Sequence, residues 1–199
     1  MYRSIDMMSV YKKMKYKQSE KTLRNPNIRS LSVQTTLRAS TMNIALYEPD
    51  IPQNTGTIMR TAACLGVSVD IIEPCGFVFT DKHLKRSGMD YLNLVDVVRH
   101  LDWAAFQARR QGSSGEGEGR RLVLLTTKGA VPYTDFAFRP DDVLLMGSES
   151  SGVPEHVHEA VDARITIPMA AGARSLNVAI SAAMVLGEAL RQTCIKGEA

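Results

Sequence analysis

The sequence predicts an α/β domain: a mostly parallel sheet with helices on both faces. Short apolar runs of strand length recur along the chain, such as Val69-Asp70-Ile71-Ile72, Leu122-Val123-Leu124-Leu125 and Val143-Leu144-Leu145-Met146. Helical stretches alternate with them, as in successive βαβ units. The run at 143–146 is too apolar for a sheet edge, so it belongs in the middle of the sheet.

The first convincing strand is Asn43-Ile44-Ala45-Leu46-Tyr47, and Pro49 and Pro52 lead from it to a helix at about 54–65. Asn54 suits the N-cap of that helix, and Gly56 admits a close backbone or ligand. After the strand at 69–72, Pro74-Cys75-Gly76-Phe77 breaks the chain, and the basic segment 82–86 precedes a strand near 91–98. A helix follows at about 102–110. The Gly/Ser/Glu run at 112–119 reads as a flexible linker. The strand at 122–125 ends in Thr126-Thr127-Lys128-Gly129, and the strand at 143–146 empties into a turn at 147–154. A short helix near 154–161, a strand at 164–167 and a helix at 175–193 complete the chain. The last helix is apolar on nearly all sides, which predicts burial on more than one face and makes a second copy of the chain an easy partner.

Length and charge narrow the function. A chain of 199 residues is one domain, or one domain with a tail. No apolar stretch reaches the ~20 residues needed to cross a bilayer. Residues 1–41 hold nine Lys/Arg and two Asp/Glu, so the net +3 is a tail of +7 on a body of −4. The body therefore does not announce a nucleic-acid binder by bulk charge. The tail lacks periodic apolar residues and reads as disordered. It fits a presequence, a basic RNA-binding arm, or an extension ahead of a start at Met42; the third is preferred because Met42 directly precedes the first strand. The three cysteines have no metal-ligand spacing and read as reduced thiols of a cytoplasmic protein, with Cys64 in the core.

The motifs that carry chemistry lie on loops after strands. Gly147, at the carboxyl end of a buried strand, stands where open α/β sheets bind ligands, and its missing side chain would admit a flat or sugar-like group. Glu149 could accept hydrogen bonds from hydroxyls. It also occupies the serine position of a nucleophile elbow and so excludes that reading. Ser175 and Asn177 stand at a helix start, where free N–H groups favour polar or anionic ligand groups. His156 and His158 fall on different helical faces, so no metal is expected. The absence of G-x-G-x-x-G after the first strand counts against a nicotinamide cofactor.

Three motifs occur in order: N-x-G-x-x-x-R at 54–60, G-x-E-S-x-G-x-P at 147–154, and I-P-M followed by R-S-L-N within 167–177. Together they resemble the signature motifs of the SPOUT methyltransferases, over about residues 42–193. Within that superfamily they are most similar to the small bacterial tRNA 2′-O-methyltransferases that act on cytidine or uridine at the wobble position, 34. The resemblance implies a deep C-terminal trefoil knot holding S-adenosylmethionine, with 42–199 as the catalytic domain. It implies main-chain contacts to that molecule at Leu125, Gly147, Ile167 and Ser175, and packing of Met169 and Leu176 near the adenine. It also implies a homodimer in which Arg60 of one subunit approaches the other's site, with Asn54 and Asn177 orienting loops and substrate. The partner implied is the tRNA anticodon stem-loop, with no metal and no membrane.

The chain departs from the pattern at Ser148 and Ser151, where many relatives carry proline and arginine, and at Ala179 and Gly187. The rival readings are a ribosomal RNA 2′-O-methyltransferase of the same superfamily and a non-catalytic RNA-binding dimer.

Overall fold

The computed structural model describes residues 41–79, 95–112, 119–129 and 131–193. Its strands are β1 (Asn43–Tyr47), β2 (Ser68–Ile72), β3 (Val97–His100), β4 (Leu122–Leu125), β5 (Val131–Pro132), β6 (Val143–Met146) and β7 (Ala163–Thr166). The helices are α1 (Pro52–Leu65), α2 (Trp103–Gly112), α3 (Glu155–Glu159) and α4 (Val178–Thr193), with a 3₁₀ turn at Tyr133–Asp135. The seven strands form one sheet in the order β3-β2-β1-β6-β4-β7-β5, and every pairing is parallel.

Strand alternation divides the core in two. Ile44, Leu46, Leu144 and Met146 face α1 and α4, joining Ile58, Met59, Val185, Leu186 and Leu190. Ala45, Tyr47, Val143 and Leu145 face the other way, joining Phe106 of α2 and Val157 of α3. Side chains two apart share a face of a strand, so each central strand needs apolar residues throughout. Helices thus cover both faces, as expected. The chain leaves β1 for one face and its neighbour β6 for the other. Diverging exits open a crevice at the carboxyl ends of the strands.

Several expectations shift. The strand expected near 91–98 is β3 at Val97–His100, and residues 80–94 lie outside the described part. So do the expectations for residues 1–40, for the basic segment 82–86 and for most of the 112–119 linker, whose Gly112 instead closes α2. Asn54 is not an N-cap. Helix α1 begins two residues earlier at Pro52, and Ile51 stands at its cap without a side-chain bond. Proline with its fixed φ starts a helix readily. Helix α4 begins at Val178 rather than 175. Within the chain it buries one face, leaving Ile180 at 54 % and Met184 at 37 % exposure. Cys64 is exposed rather than core. The two-residue strand β5 was too short to show a period.

Buried polar groups are paired across the sheet. His100 Nε2 lies 2.7 Å from Asp70 Oδ1, and Asn43 Nδ2 donates to Asp70 Oδ2 at 2.9 Å. Arg99, beside His100, pairs with Glu73 and lies over the Phe79 ring. Asp142, fully buried, accepts from Arg121 Nε and Nη2 at 2.8 and 2.7 Å and from the Arg139 amide at 2.8 Å. Removing one partner of such a pair strands the other without compensation. Asp142→Ala is expected to lower unfolding free energy by about 3 kcal/mol, measured by urea denaturation.

Candidate functional site

The crevice holds a cavity of about 520 Å³ enclosed by three loops and the start of α1. The loops follow β4 (126–129), β6 (147–153) and β7 (167–177), and they are packed main chain to main chain. A Cβ on Gly147 would sit 2.6 Å from the carbonyl carbon of Gly152, and one on Gly129 would sit 2.5 Å from that of Ile165. Gly147 therefore makes room for its own turn, and it also lines the cavity. Ser148 and Gly152 close that turn with two backbone hydrogen bonds of 3.0 and 2.9 Å, and Gly152 has φ +70°.

Side chains lock the loops to one another. Asn177 Nδ2 donates to Asn54 Oδ1 at 2.9 Å, and Asn54 Nδ2 donates to Glu149 Oε1 at 2.9 Å. Asn177 Oδ1 caps α4, accepting from the amides of Ala179 (2.9 Å) and Ile180 (3.2 Å). The helix start therefore has fewer free donors for an anion than expected. Asp50 was missed in the sequence. It accepts from Ser148 Oγ at 3.0 Å and from the Glu149 and Ser150 amides at 3.2 Å each, while its own amide donates to Glu149 Oε2 at 3.1 Å. Gly76 allows this, since a Cβ there would lie 2.7 Å from Asp50 Cβ. The signal available was an acid between two prolines just after a strand, which reads as an ordinary loop residue.

The two carboxyls are driven apart in acidity. Hydrogen bonding to Glu149, with bonds from Ser150 and Ser148, holds Asp50 well below the usual carboxylate range. Burial, then hydrogen bonding to Asp50, pushes Glu149 up. Opposed shifts in adjacent acids describe a pair that prefers to carry one charge.

Asn54, Leu125, Gly147, Glu149, Ile167, Met169, Ser175, Leu176 and Asn177 all line the cavity. Arg60 does not; it is exposed further along α1. Lys128, His158 and Arg174 also line the cavity and were not singled out as site residues. Among the described residues no group of acids, histidines and cysteines could hold a metal. The Cys75 thiol is pushed up to about 11, chiefly by burial, and has little thiolate for nucleophilic work. A pocket this size, with apolar residues such as Leu125, Ile167 and Met169 beside polar and charged ones such as Asn54, Lys128, Glu149 and Arg174, suits a nucleoside-sized ligand that also carries charge.

Residues 41–187 match the SpoU rRNA Methylase family. The chain is 60% identical over 149 residues to a tRNA (cytidine(34)-2′-O)-methyltransferase of Beijerinckia indica, covering 75% of this chain and 90% of that protein. It is 37% identical to a solved structure described as giving insights into 2-OH methylation of C/U34 on tRNA, with TM-score 0.71, covering 78% and 97% of the two chains. The SpoU methyltransferase AviRb from Streptomyces viridochromogenes, solved with the cofactor AdoMet, superposes with TM-score 0.70 at 28% identity, covering 79% and 62%.

A raised pKa couples to stability with a definite sign. Glu149 contributes stability below its ordinary value of 4.5 and loses it as pH rises through the raised value. Wild type relative to Glu149→Gln should be most stable near pH 4 and lose that advantage toward neutrality, read from urea midpoints across the range. A difference independent of pH would contradict the shift.

Proposed function

We propose that this chain, which belongs to the SpoU rRNA Methylase family, methylates the ribose 2′-hydroxyl of the wobble nucleotide, cytidine or uridine 34, in the tRNA anticodon stem-loop. The observation that carries the reading is the cavity at the strand ends, lined by residues of all three motifs, among them Asn54, Gly147, Glu149, Ile167, Ser175 and Asn177. The relatives named for the same reaction support the substrate. The family match from residue 41 supports a catalytic domain starting near Met42.

The cavity fits S-adenosylmethionine. Leu125, Ile167, Met169 and Leu176 offer apolar walls for a purine, and Gly147 and Ser175 bring main-chain groups to its rim. When bound, the sulfonium supplies an electrophilic methyl. The 2′-oxygen would form a bond to that carbon as the carbon–sulfur bond breaks, the sulfur keeping the electron pair as a neutral thioether and the hydroxyl proton passing to solvent. Asn54, Glu149 and Asn177 hold the loops in register, which is positioning, worth up to roughly 7–11 kcal/mol in favourable reactions.

Arg60 orients the ribose and its phosphate through its planar fork. It lies outside the cavity of its own chain, which supports delivery to the partner's site in a homodimer. The exposed apolar Leu176, Ile180 and Met184 at and along α4 support the same assembly. A C-terminal trefoil knot belongs to this reading, supported by the convergence of the loops after β4, β6 and β7 on the start of α4. No described helix is long and apolar enough to cross a membrane, and the tRNA substrate supports a cytoplasmic location.

The reading is tested by methyl transfer from labelled S-adenosylmethionine to tRNA lacking the modification, with nucleoside mapping. A 2′-O-methyl at position 34 is expected. Label in ribosomal RNA alone would overturn the substrate, and no transfer to either RNA would favour a binding dimer. Arg60→Lys should lower the transfer rate at least about tenfold, because an ammonium cannot make the bidentate contact. Cofactor affinity should be unchanged in that variant.

A further inference from the structure

Asp50 and Glu149 form a pair of acids that no cation of the described residues neutralises. Both are half-buried, and their carboxyl groups hydrogen-bond to each other. Neither takes part in an ion pair with a described arginine or lysine. A hydrogen bond between two carboxyl groups needs a proton on one of them. The surrounding donors place that proton. Asp50 collects the Ser148 hydroxyl and the amides of Glu149 and Ser150, which favours its ionised form. Glu149 has fewer donors, Asn54 Nδ2 on one oxygen and the Asp50 amide on the other, and it is the member that lines the cavity. The proton therefore belongs on Glu149.

A cation entering the cavity changes that balance, because an opposite charge nearby favours the ionised form of an acid. A cavity of about 520 Å³ is about 10 Å across, so a charge anywhere in it lies within roughly one screening length of Glu149. The methyl donor carries a positive sulfur, and the thioether left after transfer does not. The adenosine and amino-acid parts are the same in both. The other titratable groups of the lining are Lys128 after β4, His158 on α3 and Arg174 before α4, and all three meet those shared parts equally. The loop after β2 meets Asp50 through Gly76; its Cys75 stays a neutral thiol and its Glu73 is paired with Arg99.

We propose that Asp50 and Glu149 hold one proton between them in the free protein and release it to solvent when the sulfonium enters, so that the pair favours the charged methyl donor over its neutral thioether product. The Glu149 O–H bond breaks, the proton passes to buffer, and the second carboxylate balances the positive sulfur. The inference rests on the S-adenosylmethionine reading above. It gives the pair a part in selecting donor over product that is separate from holding the loops.

Calorimetry in buffers of different ionisation enthalpy counts the protons released. It is run between about pH 5 and pH 7 with S-adenosylmethionine and with S-adenosylhomocysteine. The donor should release a fraction of a proton at the acid end that vanishes toward neutrality, and its Kd should fall by about tenfold as pH rises through the range in which Glu149 ionises. The product should release none, and its Kd should stay within about twofold. Glu149→Gln should abolish the release and flatten the donor's pH dependence. Equal release with both ligands, or none with either, overturns the inference while leaving the cofactor reading intact. Release that persists in Glu149→Gln also overturns it, since another group would be the source. Wild-type protein that binds neither ligand removes the cofactor reading and the inference together. If the glutamine variant does not fold, the side-chain carboxyl ¹³C shift of Glu149 in the wild type decides. At about pH 5 it should move toward the ionised value on adding the donor and not on adding the product, and the same shift with both overturns the proposal.

Discussion

The site depends on a chain of hydrogen bonds that ties loops from distant parts of the sequence into one rim. Asn177 holds Asn54, Asn54 holds Glu149, and Asp50 clamps the turn that carries Glu149. The elements joined are 95 to 123 residues apart in sequence. Amide side chains used this way are directional, because each gives from nitrogen and accepts at oxygen. Asn177 does both at once, capping α4 and bridging to α1. Neither helix start can shift without breaking a bond to the other.

That constraint explains the glycines. A pocket made of main chain needs loops that touch through their backbones, and at Gly147 and Gly129 even one methyl group would collide with the facing strand or turn. The same logic accounts for Ser148 in place of the proline of many relatives. Its hydroxyl adds a bond to Asp50 that proline could not make. A rim so fixed is preorganised, and preorganised loops spare a ligand the entropy of ordering them.

Much of the sheet was legible because its central strands are buried on both faces and so are apolar without interruption, as at 122–125 and 143–146. Helix boundaries were less so. Asn54 has the chemistry of a cap, but Pro52 starts α1 and frees the asparagine for a long-range bond. Asn177 is the true cap, and α4 starts at Val178, three residues beyond the expected start. Cys64 sits in an apolar stretch but faces out, since helical spacing there turns Met59 and Ala62 inward instead. Asp50 could not be read at all. Its importance lies in its bonds to Ser148 and to the amides of Glu149 and Ser150, made by topology rather than by local pattern.

The most direct test of this account is a double-mutant cycle between Glu149 and Asn177, read as affinity for S-adenosylmethionine. Asn54 is hydrogen-bonded to both and so joins them. If the rim acts as one unit, Glu149→Ala and Asn177→Ala should be non-additive, with a coupling of about 0.5–3 kcal/mol. Strictly additive losses would mean that the loops are positioned independently, and the hydrogen-bonded rim would not be what shapes the site.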